Sequence, residues 1–272
     1  MTDFAFLEGK TVFVVGGASG LGARVAVLAQ EAGAKVVAFD VSPSEVGAYR
    51  LVDLRDEASI RNALDRTGEC FDFLISFAGL PPGAVPASIL QVNYLGQVQF
   101  LEGLLGNANE GSRIVSIASI GGREWRQHDE IIAQFRAIPD LSEVPAFTNE
   151  RGIDGKAAYR LSKAALIQWT RQMAFTHPQN DVTFLAVSPG PVNTELFKRA
   201  ARNSPEATAD LLSAAPRVAE PEEIAKAIVG LCRPEFHWLN GINIPLDGGA
   251  DARFDAMGLN MNIAFEERSE EQ

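Results

Sequence analysis

Short apolar runs alternate with longer amphipathic stretches along most of this chain of 272 residues. The runs are rich in β-branched residues and almost continuously apolar, which is typical of strands buried in a parallel sheet. They read TVFVV, KVVAF, DFLISF, RIVSIA, VTFLAV and INIPL, at positions 11–15, 35–39, 72–77, 113–118, 182–187 and 242–246. Because parallel strands need long crossover connections, the alternation predicts an α/β fold with a doubly wound parallel sheet.

Helical patterns fill the intervals between these runs, over Leu21–Ala32, Glu57–Arg66, Ala87–Leu105, Lys156–Thr176 and Glu222–Leu231. We find no internal repeat and no low-complexity linker, so residues 1–272 are predicted to form a single domain of the Rossmann type. In an open sheet of this kind, ligands bind beyond the carboxyl ends of the strands. The motifs that follow the strands are therefore the candidates for a functional site.

Charge and cysteine content restrict the partners and the compartment. Asp and Glu outnumber Lys and Arg by 35 to 24, and the net charge of −11 repels the phosphates of nucleic acids. No apolar run is long enough to span a membrane, and the N-terminal segment lacks the features of a secretory signal. Cys70 and Cys232 are expected to be buried apolar fillers, and no metal-binding pattern is present. We expect a cytoplasmic protein without nucleic-acid, membrane or metal partners.

A glycine-rich turn directly follows the first strand. It reads Gly16-Gly17-Ala18-Ser19-Gly20-Leu21-Gly22 and leads into the first helix. Glycine permits a positive φ and a close approach of pyrophosphate to the backbone, and the free N–H groups at the start of the helix attract phosphate. At the beginning of a strand–helix–strand pattern, this turn predicts a dinucleotide site.

Acidic residues end the next two strand-like runs. Asp40 ends the second strand, where a carboxylate accepts hydrogen bonds from the adenosine ribose and repels a 2′-phosphate. Neither Ser19 nor Val41 is basic, so the pattern favours NAD over NADP. Asp53 ends the run Tyr49–Asp53 and is a candidate acceptor for the adenine amino group, the alternative being an exposed loop acid.

Tyr159 and Lys163 form the pattern YxxxK in a predicted helix, where positions four apart share one face. A phenol with its ordinary pKa of about 10 is a poor base at neutral pH, and a nearby ammonium lowers that pKa. Such a pair can move the hydroxyl proton when an alcohol and a carbonyl are interconverted. Ser119, at the carboxyl edge of the sheet, can polarise the substrate oxygen, and Asn93 inside a helix can hold a local distortion or a relay water.

These motifs occur in the order found in the short-chain dehydrogenase/reductase family, which the chain resembles over about residues 8–250. The resemblance implies that Tyr159 is the acid/base, that Lys163 lowers its pKa and holds the nicotinamide ribose, and that Ser119 orients the substrate. It implies that Asn93 supports the proton relay. The implied NAD-binding set is Gly16, Ser19, Gly20, Leu21, Gly22, Asp40, Asp53, Leu54, Ala78, Gly79, Asn93, Tyr159, Lys163, Pro189, Gly190, Val192 and Thr194.

The chain departs from the family pattern in three places. Ser76-Phe77-Ala78-Gly79 replaces Asn-Asn-Ala-Gly, so side-chain bonds from the first two positions are in doubt. The connection from Gly79 to Asn93 is short and rich in proline, and Ser119 and Tyr159 are 40 positions apart where the family has a much shorter connection. The last two departures resemble a smaller bacterial branch, the coniferyl-alcohol and 3α-hydroxysteroid dehydrogenase types.

The long segment Arg123–Gly155 is predicted to be an inserted lid before the catalytic helix, because both of its ends lie beside the reacting centre. Its alternative role is to pack over the long helices, where related enzymes often pair subunits. His128 is expected to be a surface residue. The C-terminal tail, residues 250–272, ends in the acidic stretch 265–272, which is expected to be solvated.

The expected reaction is NAD-dependent hydride transfer between a primary or secondary alcohol and its carbonyl, on a bulky hydrophobic or aromatic substrate like coniferyl alcohol. The alternative substrate is a 3α-hydroxysteroid. A sensor that binds NAD without turnover is disfavoured because it needs no full catalytic set. Homodimers or homotetramers are expected from the resemblance. The side chains expected to line an apolar cleft are Trp125, Ile131, Ile132, Phe135, Phe147 and Phe197.

Overall fold

The computed structural model describes residues 4–177, 181–203 and 205–258. Within them, seven strands form one parallel sheet in the order β3-β2-β1-β4-β5-β6-β7. The strands are β1 (Thr11–Val15), β2 (Lys35–Asp40), β3 (Ala48–Leu51), β4 (Phe71–Ser76), β5 (Ala108–Ile117), β6 (Thr183–Pro189) and β7 (Ile242–Leu246). Every strand predicted from the sequence is present, and the doubly wound α/β fold is confirmed.

The helices cover both faces of the sheet. They are α1 (Gly20–Glu31), α2 (Glu57–Asp65), α3 (Pro86–Leu90), α4 (Gly96–Gly103), α5 (Asp129–Arg136), α6 (Val144–Glu150), α7 (Gly155–Thr176), α8 (Glu195–Asn203), α9 (Pro205–Ala214), α10 (Pro221–Gly230) and α11 (Ala250–Met257). One hydrophobic cluster joins α1 and α10 to one face, and a larger cluster joins α2, α4 and α7 to the other. No helix of the described residues is both long and apolar enough to cross a membrane.

The crossover from β4 to β5 is a helix with a distortion in its middle. A π-helical turn, Gln91–Leu95, separates α3 from α4 and has Asn93 at its centre. Pro86 occupies the first turn of α3, where the missing N–H of proline costs no helical hydrogen bond. The distortion considered for Asn93 from its poor helix propensity is therefore present.

The segment 123–155 packs on the helical face that carries α4 and α7. Ile132 and Phe135 of α5 and Phe147 of α6 are buried in the larger hydrophobic cluster. Arg136 Nε donates to the Tyr94 hydroxyl at 2.8 Å, which joins α5 to the π-helical turn. The apolar face of the segment is thus part of the main core.

The two cysteines differ in environment. Cys232 is buried as expected, and burial raises its pKa to about 12. Cys70 is exposed, so its prediction as a buried filler is wrong. The reason is its position in the connection before β4, where the chain has not yet entered the sheet. The acidic stretch 265–272 lies outside the described residues.

Candidate active site

A cavity of about 730 Å³ lies at the carboxyl edge of the sheet. The topology places it there, because the chain continues from β1 to one side of the sheet through β2 and β3, and then returns to the other side at β4. The cavity is lined by every residue of the predicted catalytic and cofactor sets except Asn93. Asn93 lies directly behind the lining, hydrogen-bonded to the lining residue Leu80.

The glycine turn brings the ends of β1 and β4 together. A Cβ atom on Gly16 would lie 2.7 Å from the Ala78 nitrogen, and one on Gly22 would lie 2.1 Å from the Gly16 oxygen. Gly20 has a φ of +56°, and the space beside it is open toward the cavity. Two glycines are therefore required for close backbone contacts, and Gly20 leaves room for a ligand at the start of α1.

Asp40 is fixed by backbone amides at the end of β2. Its Oδ2 accepts from Ala18 N at 3.0 Å, and its Oδ1 accepts from Ser42 N at 3.1 Å. The carboxylate thereby ties the glycine turn to β2 and lines the cavity. Each carboxylate oxygen keeps capacity for a further donor, such as a ribose hydroxyl.

The carboxylate of Asp53 forms a salt bridge with the nearby Arg55. Arg55 Nε donates to Oδ1 at 2.9 Å, and its terminal nitrogen donates to Oδ2 at 2.7 Å. This pair of bonds lowers the pKa of Asp53. Asp53 and the buried Leu54 both line the cavity, and the role of Asp53 toward adenine stays a prediction.

Asn93 holds the loop that follows β4. Its Oδ1 accepts from Leu80 N at 2.6 Å, and its Nδ2 donates to Leu80 O at 3.1 Å. The side chain is fully buried, so both bonds are protected from water. Asn93 fixes the loop from Gly79 to Leu80 next to Lys163. Its own side chain does not line the cavity.

Ser119 and Tyr159 lie side by side at the catalytic end of the cavity. Ser119 ends the chain segment after β5, and its Oγ accepts from Gly121 N at 3.1 Å. Both side chains lie beside Gly121, and the nearby Ser119 hydroxyl opposes the rise in the pKa of Tyr159 that burial causes. Asp154 starts the helix that carries Tyr159, because its Oδ1 accepts from Ala157 N at 2.7 Å.

Lys163 lies one turn after Tyr159 and is buried. Its Nζ donates to Ile117 O at 2.8 Å and lies 5.9 Å from the centre of the Tyr159 ring. Burial lowers the pKa of Lys163 to about 8. The same helix face therefore presents a phenol and an amine to one end of the cavity, as the YxxxK spacing predicts.

The predicted lowering of the Tyr159 pKa by Lys163 is not seen in the protein alone. Burial raises the pKa of Tyr159, and the nearby Ser119 hydroxyl offsets only part of that effect. The ammonium of Lys163 is directed to the Ile117 carbonyl, two residues before Ser119, rather than to the phenol oxygen. Desolvation of both groups opposes the charged forms that the sequence argument assumed.

The segment from Pro189 to Thr194 forms the far side of the cavity. Val192 bridges to Ala219, and Asn193 N donates to Ala219 O at 2.9 Å. Thr194 Oγ1 accepts from Phe197 N at 3.2 Å, which fixes the start of α8. The loop is thus anchored at both ends while Pro189, Gly190, Val192 and Thr194 line the cavity.

Ser76 stands where the family has its first asparagine. Its hydroxyl is fully buried at the end of β4 and has no hydrogen-bond partner among the described residues. The neighbouring backbone is unaffected, since Phe77 N donates to Val15 O at 2.7 Å. The sequence-based doubt about this position was justified, and the approach of Ala78 to Gly16 is retained without it.

Side chains of α8 and α9 line the substrate end of the cavity, and the sequence analysis predicted only Phe197 among them. None of residues 123–155 lines the cavity, so the prediction of a lid is not supported. Trp125, Ile132, Phe135 and Phe147 pack against the core helices instead. Only Phe197 of the predicted apolar residues lines the cavity, together with Leu196, Ala200, Thr208 and Leu211 of α8 and α9. The signal was available, because α8 directly follows the cofactor-side loop.

His128 also lies outside the cavity lining. Its Nε2 is 3.8 Å from a Glu124 carboxylate oxygen, and the ring is half-buried. The described residues contain no cluster of three or more His, Cys, Asp or Glu side chains that could hold a metal ion.

Comparisons with known proteins agree with this geometry. A family model described as enoyl-(acyl carrier protein) reductase matches residues 144–251. The chain is 31% identical to a coniferyl-alcohol dehydrogenase of Pseudomonas sp. strain HR199, over 89% of this chain and 97% of that protein. It is 26% identical to a 3-alpha-hydroxysteroid dehydrogenase/carbonyl reductase of Comamonas testosteroni, over 89% and 96%. The chain belongs to the short-chain dehydrogenase/reductase family.

Among solved structures, the 3-alpha-hydroxysteroid dehydrogenase of Pseudomonas sp. B-0831 complexed with NADH superimposes with a TM-score of 0.80. It is 25% identical in sequence, and the match covers 90% of this chain and 98% of that one. The fold and the family together define an oxidoreductase that acts on alcohols and carbonyl compounds, for which this family uses a nicotinamide cofactor.

The residues present fit a nicotinamide dinucleotide. Gly20 leaves open space at the start of α1, and Asp40 offers a carboxylate three strands away from the catalytic end. Three strand spacings amount to about 14 Å, so the cavity extends across the sheet edge as a dinucleotide requires. Tyr159 and Lys163 line its other end.

Proposed function

We propose that this protein uses NAD to interconvert a bulky hydrophobic or aromatic alcohol and its carbonyl. The observation that carries the proposal is one continuous cavity with Asp40 at one end and Ser119, Tyr159 and Lys163 at the other. The likeness to a coniferyl-alcohol dehydrogenase supports an aromatic alcohol. Two hydroxysteroid dehydrogenases among the similar proteins support a hydroxysteroid as the second candidate.

The residues of the chain divide the chemistry between them. When bound, the nicotinamide ring supplies the hydride acceptor for oxidation or the hydride donor for reduction. Ser119 donates a hydrogen bond to the substrate oxygen, and Tyr159 removes the hydroxyl proton of an alcohol or returns it to a carbonyl. Lys163 contributes positive charge beside the phenol and a donor for the cofactor ribose, and Asn93 keeps the Leu80 loop in place beside it.

NAD, rather than NADP, is proposed from the charge at the adenosine end. Asp40 lies where a 2′-phosphate would be repelled, and the next residue, Val41, is an exposed apolar side chain. Arg55 lines the same end, but its guanidinium is bound to Asp53. The positive charge of Arg55, which could otherwise attract a 2′-phosphate, is therefore neutralised by Asp53.

The wider setting is proposed from the sequence and the family. We propose a single domain that assembles into homodimers or homotetramers and works in the cytoplasm, with a small-molecule substrate. Cys70 and Cys232 are both free thiols, which supports a reducing compartment. Sedimentation of the purified protein tests the assembly.

One experiment tests the function. The purified protein is incubated with NAD and a panel of cinnamyl-type alcohols, benzylic alcohols and 3α-hydroxysteroids, and the formation of NADH is followed at alkaline pH. Turnover of at least one class by the wild type, with loss of turnover in Tyr159→Phe, supports the proposal. A protein that binds NADH but turns over no alcohol would instead support the sensor hypothesis.

A further inference from the structure

The catalytic end of the cavity carries a cation without an acidic partner. Lys156 lines the cavity in the first turn of α7 and forms no hydrogen bond or ion pair with any residue that the structure describes. Arg160, one turn later, lines the same wall and has contacts of its own. Lys163 follows after two turns, where its ammonium is bonded to the Ile117 carbonyl. Three basic residues therefore follow one another along this wall.

The acids near this end of the cavity are already engaged. Glu195 lines the cavity on α8 and pairs with Lys198 at 2.9 Å. Asp154, two residues before Lys156, accepts the Ala157 amide at the start of α7. Burial is the cause of the pKa of about 8 at Lys163. In a protein with a net charge of −11, this end of the cavity is a local region of positive charge.

Stability does not explain the position of Lys156. A cation in the first turn of a helix faces the positive end of the helix dipole, an unfavourable interaction of about 0.3–1 kcal/mol. The side chain is exposed, so it gains little from burial of its stem. A positive charge at this position is instead well placed to meet a ligand.

The helical spacing relates Lys156 to the reacting centre. Lys156 and Tyr159 are three positions apart in α7 and share one face, with Cβ atoms about 5–6 Å apart. With its flexible four-carbon stem, the ammonium can reach an anion on the order of 6–10 Å from the reacting carbon. The lining of the same cavity includes the apolar side chains Leu80, Ile120 and Phe197.

We propose that the substrate carries an anionic group, in the simplest case a carboxylate, about one aromatic ring beyond the reacting carbon, and that Lys156 binds it. The inference rests on the proposed function, because it specifies the substrate of that same site. It describes an amphiphilic molecule, with an alcohol or carbonyl at Tyr159, an apolar body along the lining and a negative charge at the cavity mouth. A phosphate in the same place would use the same recognition chemistry.

A matched pair of substrates tests the charge. Reduction of 4-carboxycinnamaldehyde and of its methyl ester by NADH is measured for wild type, Lys156→Met, Lys156→Arg and a control, Lys226→Met. Lys226 is exposed on α10 and pairs with Glu222, away from the cavity. The ratio of kcat/KM for acid over ester should fall about tenfold in Lys156→Met, mostly through KM, because a charge-assisted hydrogen bond is lost. Lys156→Arg and Lys226→Met should keep the ratio.

The outcomes separate this inference from the function on which it rests. If both aldehydes are reduced and Lys156→Met leaves the ratio unchanged, the function holds and the anionic substrate is wrong. If neither aldehyde is reduced, the proposed substrate class fails, and titration of the enzyme–NADH complex with cinnamate and cinnamamide tests Lys156 directly. Tighter binding of cinnamate that depends on Lys156 supports the inference, and equal binding overturns it. Phenyl phosphate and phenol, added in the same titration, show whether a phosphate is preferred to a carboxylate.

Discussion

The Ser119 and Tyr159 side chains lie together beside Gly121, although 40 positions separate them along the chain: a Cβ atom on Gly121 would be 3.6 Å from Ser119 Oγ and 3.4 Å from Tyr159 Cε1. Ser119 follows the end of β5, and the short helical turn Ile120–Gly122 that comes next packs against α7. Gly122 permits the approach, because a Cβ atom there would lie 2.7 Å from the backbone carbon of Lys163. The segment 123–155 leaves after this contact and returns before Tyr159, where Asp154 caps α7.

Replacement of Tyr159 with Phe should abolish turnover while leaving NADH affinity within a few-fold of wild type. The hydroxyl transfers the proton, a contribution of about 10²–10⁴-fold in rate, and the ring that lines the cavity is retained. Steady-state rates and fluorescence titration with NADH measure the two quantities. As a contrast, Lys163→Ala should lose both activity and NADH affinity, and substantial activity in Tyr159→Phe would show that another group moves the proton.

The pH profile should follow the protonation of Tyr159. Alcohol oxidation needs the deprotonated phenol, and burial raises its pKa, so kcat/KM for oxidation should rise with pH from neutral to alkaline conditions. Carbonyl reduction needs the protonated phenol and should not rise over the same range. Ser119→Ala removes the hydroxyl that opposes the rise in this pKa, so its oxidation profile should shift to higher pH. An oxidation rate that falls between pH 7 and pH 9 would contradict this assignment.

Cofactor preference should depend on the charge of Asp40. Asp40→Ala removes the repulsion of a 2′-phosphate, and the NAD:NADP ratio of kcat/KM should fall about tenfold or more. Because Asp40 also accepts from Ala18 N and Ser42 N, Asp40→Asn is the control that keeps one acceptor without the charge. Both variants should lower the NAD:NADP ratio of kcat/KM, and Asp40→Asn should lose less overall activity than Asp40→Ala. A wild type that already prefers NADP would show that the ribose assignment is wrong.

The sequence predicted the sheet and the catalytic groups because their signals are local. A β-branched apolar run is sufficient to indicate a buried strand, and the glycine turn and the YxxxK pattern each lie within a single element. The topology of a doubly wound sheet then brings the residues after β1, β2, β4, β5 and β6 to one edge. Asp40 and Ser119 could be predicted to line one cavity because each follows a strand of the same parallel sheet. No contact between them was needed for that prediction.

The predictions that failed concern contacts between distant elements. The aromatic residues of the 123–155 segment have the same helical spacing whether they line a cleft or enter a core. The structure shows that Phe135 enters the core, where its ring centroid lies 5.0 Å from that of Tyr94. Likewise, YxxxK spacing gives no information on desolvation, which sets the pKa of Tyr159 and Lys163.

A buried guanidinium should contribute strongly to stability. Arg113 of β5 is 2% exposed, and its nitrogens donate to Thr183 Oγ1 at 3.0 Å, Phe236 O at 2.6 Å and Leu231 O. Arg113→Leu leaves these buried acceptors without a donor and should lower the free energy of unfolding by about 2–5 kcal/mol, measured with urea. The exposed Arg66→Leu should change it by no more than about 0.5 kcal/mol. Equal effects of the two variants would show that the buried bonds contribute nothing net.

Substitutions of two phenylalanines test whether the 123–155 segment or α8 forms the substrate-binding wall of the cavity. Phe135 is fully buried on α5, so Phe135→Ala should lower the free energy of unfolding by about 3–5 kcal/mol while KM for a bulky alcohol stays within a few-fold. Phe197 is half-buried and lines the cavity on α8, so Phe197→Ala should raise KM several-fold with little loss of stability. Urea unfolding and steady-state kinetics on the same preparations measure both quantities. If Phe135→Ala raised KM and Phe197→Ala did not, the 123–155 segment would be the lid after all, and α8 would only support it.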